Sequence, residues 1–122
     1  MNEYHRFRRA ALLLVAAAVV SSGCAIANKM SGVSEARAIQ AVGEPARATV
    51  LEVWDTGMTL NNDPVIGLRV AVARSGHPPY EAIIRKSPVS RVHIPQFQPG
   101  SYVPIKIDPR DPARVALDVY KY

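Results

Sequence analysis

A chain of 122 residues has room for one domain, and its ten prolines and seven glycines argue against an architecture of long helices. Its fifteen basic and ten acidic residues give a formal charge of +5; setting aside Arg6, Arg8, Arg9 and Glu3 near the N-terminus leaves twelve and nine, an excess of +3 too dispersed to argue for nucleic acid. The single cysteine, Cys24, excludes an intramolecular disulfide and any multi-cysteine metal site.

The chain opens on a basic stretch, residues 1–9, followed by an apolar run, residues 10–20, and the small residues Ser21-Ser22-Gly23 directly before Cys24. This is the layout of a secretory signal, with the arginines kept on the cytoplasmic side. Eleven apolar residues make about 16 Å of helix, too short for a hydrocarbon core of about 30 Å, so the length fits cleavage better than spanning. The rival reading joins residues 10–27 into one uncleaved signal anchor, interrupted only by Ser21, Ser22 and Gly23.

The small residues ending at Gly23-Cys24 resemble the lipobox of bacterial lipoproteins, with Ser21 where the pattern prefers leucine. The resemblance implies a diacylglycerol on Cys24 and cleavage that leaves this residue as the new N-terminus. Ala25 follows the cysteine where an aspartate is associated with inner-membrane retention, which by the same resemblance favours the inner leaflet of an outer membrane. A location in the cell envelope follows, on a membrane surface facing away from the cytoplasm.

Residues 24–44 read as a linker poor in large apolar side chains. Within it residues 34–41 can make two helical turns, with Ser34 as a cap and Glu35, Ala36, Arg37 and Ala38 favouring helix; so short a helix is marginal alone.

Residues 45–122 change to a period of two. Residues 46–54 form a first strand that alternates through Ala48 and Val50, then shifts phase at Leu51 and Val53, the signature of a bulge. Ile66, Leu68, Val70 and Val72 share one face of a second strand. Three more follow, on Tyr80, Ala82 and Ile84; on Val103, Ile105 and Ile107; and on Val115, Leu117 and Val119. Turns are expected at Asp55-Thr56-Gly57, Asn61-Asn62-Asp63-Pro64, Ser75-Gly76-His77-Pro78-Pro79, Gln98-Pro99-Gly100 and Asp108-Pro109-Arg110-Asp111-Pro112. Five short strands hide their edges best by curling, so the expected fold is all-β: a small five-stranded, partly open barrel of the OB or SH3 kind after an N-terminal signal helix and linker.

Val50-Leu51, Asp55-Thr56-Gly57, Asn61, Pro64-Val65, Tyr80, Ile94-Pro95, Pro99-Gly100, Asp108-Pro109 and Asp111-Pro112 together resemble a small all-β domain of an uncharacterised family in bacterial membrane and envelope proteins, often beside transmembrane helices. The resemblance covers residues 45–118 and consists mostly of turn residues. It implies a fold and brings no activity with it.

Candidate chemistry is sparse. Asp55-Thr56-Gly57 is the tripeptide that carries the catalytic aspartate in aspartic proteases, but Val65-Ile66-Gly67 comes only eight residues after Gly57 and leaves no stretch for a flap; a tight turn explains Asp55 and Gly57 equally well. His77 and His93 lack a third imidazole after export, which makes a poor metal site. Ser87, Ser90 and Ser101 lack a nucleophile-elbow context, and no phosphate-binding glycine loop occurs. The sequence therefore points to no catalytic residue, no cofactor and no metal. The densest basic patch is Arg85, Lys86, Arg91 and His93, near Tyr80 and Phe97, a candidate surface for an anionic or extended ligand in an OB-like barrel; the plainer reading is a charged strand end that blocks edge pairing. The expected partners are a membrane, through a lipid anchor or a signal anchor, and an envelope protein or wall component, with no nucleic acid.

Overall fold

The computed structural model describes residues 29–119. The expected export segment, Cys24 and the first residues of the expected linker lie outside the described residues, as do residues 120–122.

Helix α1 spans Val33–Val42, and its buried residues Val33, Ala36 and Ile39 recur every three positions on one face. Its N-cap is Gly32 rather than Ser34. Gly32 has φ 86° and packs so closely on the backbone of Lys86 that a Cβ there would overlap the Lys86 carbonyl, so both the left-handed backbone and the tight approach call for glycine. A ten-residue helix is marginal by itself, and tertiary contacts hold this one. Ala36 and Ile39 pack on Ala116. Gln40 Nε2 donates to the Leu117 carbonyl at 3.0 Å, and Lys106 Nζ donates to the Gln40 carbonyl at 3.2 Å, where a cation suits the C-terminal end of a helix. The second half of the linker is thus packed against the strands that follow it.

Five strands follow: β1 Glu44–Leu60, β2 Asp63–Ala73, β3 Tyr80–Pro88, β4 Tyr102–Asp108 and β5 Asp111–Leu117, with a 3-10 segment, Arg91–Phe97, between β3 and β4. The sheet order is β3-β2-β1-β4-β5 and every neighbouring pair is antiparallel. The two outermost strands come round to meet each other: the Tyr80 hydroxyl, at the start of β3, donates to the Pro112 carbonyl, at the start of β5, at 2.7 Å. The result is the expected all-β, nearly closed five-stranded barrel. Its connectivity, with β1 shared between β2 and β4, is of the OB kind.

The phase shift at Leu51 is a bulge in β1, whose pairing with β2 jumps from Val50↔Val70 to Glu52↔Arg69. Before it, β1 pairs with β4 as well, from Glu44↔Ile107 to Thr49↔Tyr102; after it, β1 keeps only β2. The bulge sits where the strand leaves one half of the barrel and extends into a hairpin arm. The expected inward faces form the core: Val50, Leu68, Val70, Val72, Ile105, Ile107 and Leu117 are buried together with Val89 and Phe97.

One expected turn is not a turn. Asp55-Thr56-Gly57 lies inside β1, which runs to Leu60 rather than ending at Trp54, and the chain reverses only at Asn61-Asn62, both at positive φ (51° and 68°). Two consecutive left-handed residues match the right-handed twist of a two-residue hairpin, and asparagine tolerates them. The tripeptide instead makes a second irregularity, between Asp55 and Thr59. Asp55 Oδ1 accepts from the Gly57 N–H at 2.8 Å, and Thr56 Oγ1 donates to the Val65 carbonyl at 2.6 Å, which ties the two arms of the hairpin across the break.

Trp54 and Gly67 oppose each other across β1 and β2 on the outer face. The indole lies over Gly67 so closely that any Cβ would overlap the ring, and Gly67 is buried although its neighbours Ile66 and Leu68 take the inward face. This is an aromatic side chain filling the space that a cross-strand glycine leaves. Gly67→Val is expected to displace the indole and cost about 1–3 kcal/mol; a lowered denaturant midpoint with a red-shifted emission from Trp54, the only tryptophan, checks it.

Candidate functional site

The barrel closes least well between β3 and β5, and α1 crosses over that gap. A cleft of about 540 Å³ opens there, lined by Glu35, Ile39, Arg69, Ile83, Arg85 and Arg114 among others. Its apolar floor comes from the inward alternation of β3 and β5, in which Ala82, Ile84, Val115 and Leu117 belong to the core. Its walls carry charge because outward residues of the same strands alternate with them.

Most of that charge is internally compensated. Arg69 Nε lies 3.4 Å from Glu52 and its Nη1 lies 3.2 Å from Glu81, so one guanidinium on β2 bridges carboxylates from β1 and β3. The hydrogen bonds from Glu81 first, and then Glu52, raise the Arg69 pKa above its ordinary value and keep the group charged. Arg114 on β5 likewise joins Asp108 at 3.0 Å and Glu35 of α1 at 3.2 Å. Asp108 is buried, and it also accepts from the Arg110 N–H at 2.9 Å. That buried carboxylate is thus paired with a cation and capped by backbone, as burial of charge requires.

Arg85 and Lys86 differ. Among the described residues neither takes part in an ion pair. They are consecutive, yet both are exposed, which a regular strand forbids to neighbours on a sheet with one buried face. The reason is a bulge in β3: pairing steps from Leu68↔Ile84 to Ile66↔Ser87, so Arg85 and Lys86 together oppose the single residue Gly67. Gly67 therefore faces Trp54 on one side and the bulge on the other.

The remaining sequence candidates separate. Arg91 is in the 3-10 segment, where its Nε donates to the Asn62 carbonyl at the hairpin tip at 3.0 Å. His93 is half-buried in the same segment, and its N–H donates to the Ser90 carbonyl at 2.9 Å. His77 is exposed in the β2–β3 turn, the whole length of β3 away from His93 in the chain. Among the described residues no group of three or more His, Cys, Asp or Glu could hold a metal ion. Phe97 does not stand beside the basic patch as a stacking surface: it is 0% exposed, in the middle of the core, because the 3-10 segment turns it inward. The Tyr80 hydroxyl is spent on the β3–β5 bond. With Phe97 buried and the Tyr80 ring packed against the core, these two side chains do not form a paired aromatic platform.

The compensating carboxylates Glu35, Glu52, Glu81 and Asp108 escaped the sequence reading. The signal for Glu52 and Glu81 is the outward position of Arg69, since strands adjacent to β2 bring an outward residue to each side of it. Glu35 carries no comparable signal, because it meets Arg114 only through the docking of α1, and Asp108 reads in the sequence as a turn residue although it meets Arg114 across the β4–β5 hairpin.

Comparison with known protein families, with curated proteins and with solved structures finds no match for this chain in any of the three.

Burial is the main cause that raises the Tyr80 pKa; Arg74 opposes it, and Asp111 and Glu44 add to it. The folded state thus holds the phenolic proton more tightly than the unfolded chain does. Tyr80 contributes its full stabilisation below the ordinary tyrosine value of about 10, and that contribution falls as pH rises through the folded-state value. Tyr80→Phe is expected to cost about 1 kcal/mol near neutrality and to flatten this alkaline decline, as read from urea midpoints measured at neutral and alkaline pH.

Proposed function

We propose that this protein is a non-enzymatic envelope lipoprotein, held by a lipid on Cys24 and presenting a small β-barrel to another envelope protein or wall component. The observation that carries the reading is the arrangement of the first 24 residues: a basic stretch, a short apolar run, three small residues and then the only cysteine of the chain. A thiol is the strongest nucleophile available at that point, and each buried lipid CH₂ adds about 0.8 kcal/mol of membrane affinity. The fold is in keeping with it. Gly32 is already packed on the barrel, so only a few residues of sequence separate Cys24 from the folded unit.

A second reading has one observation in its favour. The β3 bulge leaves Arg85 and Lys86 exposed and without ion-pair partners among the described residues, which suits a membrane-anchored module that binds an anionic or extended ligand.

Cys24→Ala is expected to abolish labelling by a radioactive fatty acid and to move most of the protein out of the membrane fraction. The mass of the mature N-terminal peptide checks the same point, since it tells acylated, uncleaved and merely cleaved forms apart. Undiminished labelling of the variant would end the lipoprotein reading.

A further inference from the structure

The chain enters the folded unit at one particular place. Gly32 rests on the Lys86 backbone, so the segment that leads from Cys24 arrives at the β3 bulge. From there the described residues continue without a gap to a single corner. Pro88 pairs with Val65, the Val89 N–H donates to the Pro64 carbonyl at 3.0 Å, and Arg91 reaches the Asn62 carbonyl. This corner carries Lys29, Arg85, Lys86 and Arg91, all exposed. Two large apolar side chains stand out among them, Met30 at 53% and Val92 at 78% exposure. The nearby acids are Asp63, which opens β2 beside Asn62, and Asp55, two strands over from Ser87. Glu35 and Glu81, which line the same cleft as Arg85 and Lys86, are engaged by Arg114 and Arg69. The corner is therefore cationic on balance, and it has apolar side chains able to reach past a headgroup layer.

We infer that this corner rests on the anionic headgroups of the bilayer that holds the protein, with Lys29, Arg85, Lys86 and Arg91 as the charged contacts and Met30 and Val92 at the interface. The inference rests on the lipid-anchor reading, and it names which face of the barrel the membrane covers. Chain length supports it: Lys29 is five positions after Cys24, a reach of at most about 18 Å, so an anchored cysteine keeps the corner within about two Debye lengths of the headgroups. Charge complementarity supports it as well, because anionic headgroups set up a negative surface potential that attracts each nearby Lys or Arg by about 1 kcal/mol within a Debye length. The bulge has a use here. It turns two consecutive cationic residues outward at the very point where the tether arrives.

The test uses the full-length chain on vesicles of pure phosphatidylcholine and on vesicles in which a third of the lipid is phosphatidylglycerol, with amide hydrogen exchange read over residues 85–93. Exchange there is expected to slow roughly tenfold on the anionic vesicles relative to the neutral ones, to recover in high salt, and to recover in the double variant Arg85→Glu with Lys86→Glu. Unchanged Trp54 emission in that variant shows that the barrel is intact. Equal exchange on both vesicles, or slowing that persists after charge reversal, overturns the inference. Protection that appears only on native membranes, and not on lipid vesicles, assigns the corner to an acidic protein and overturns it too. The mass of the N-terminal peptide reports the anchor separately. A chain without an acyl group but with salt-sensitive protection on anionic vesicles would sink the lipoprotein reading and leave the headgroup contact standing.

Discussion

The architecture depends on one strand being able to serve two neighbours and then leave them. β1 is seventeen residues long, and a strand of that length cannot stay straight against a sheet that must curl through a full turn. The bulge at Leu51 resolves the conflict. It ends the pairing with β4 at Thr49, bends the strand, and re-phases it so that Ala48 and Val50 point into the core while the chain beyond can follow β2 alone to the Asn61-Asn62 reversal. The backbone groups that the bend would leave bare on the β4 side are taken up locally: the Val50 N–H donates to the Ser101 carbonyl at 2.9 Å, and the Gly100 N–H donates to the Val50 carbonyl at 2.8 Å. A buried bend without such partners would carry a desolvation penalty for each orphan group.

Closure is incomplete on the side opposite β1, and the molecule treats that gap as a place to dock something. At one end a single side-chain bond, Tyr80 to Pro112, draws β3 and β5 together. Away from it α1 lies across the opening, with Ala116 small enough to let Ala36 and Ile39 come close and with Gln40 taking a carbonyl of β5. The helix thus shields strand edges that would otherwise be open to pairing with another chain. Its own marginal stability makes the arrangement reciprocal. α1 is helical because the barrel gives it a surface, and the barrel edge is covered because α1 is helical.

The parts of this fold that were legible in the sequence are those governed by alternation. Ile66, Leu68, Val70 and Val72, or Val103, Ile105 and Ile107, declare their buried face directly, and even the bulge at Leu51 shows as a break of phase. The reading failed where a residue had two sufficient explanations. Asp55-Thr56-Gly57 has the composition of a turn and does take Gly57 to a positive φ of 79°, yet it only interrupts the β1 pairing, and the chain reverses at Asn61-Asn62. Phe97 looked available as an aromatic surface because nothing local tells which way a short 3-10 segment turns its side chains. The exposed Arg85-Lys86 pair was visible as charge, but the bulge that makes both face solvent is set by its register against Gly67, a long-range fact.

That register joins features that look unrelated along the chain. Gly67 has no side chain, so the Trp54 indole can lie flat upon it from β1; across from the same residue, β3 fits two residues where one would be regular. The extra residue lifts the backbone at Lys86 toward α1, where only a glycine, Gly32, can meet it. A side chain at either glycine would therefore disturb more than its own site. At position 67 it would evict the indole, and at position 32 it would push the incoming chain off the bulge and with it the first turn of α1. The place where the described chain enters the barrel is consequently among the most sterically constrained points of the described residues, since a Cβ at Gly32 or at Gly67 would meet backbone or ring at once.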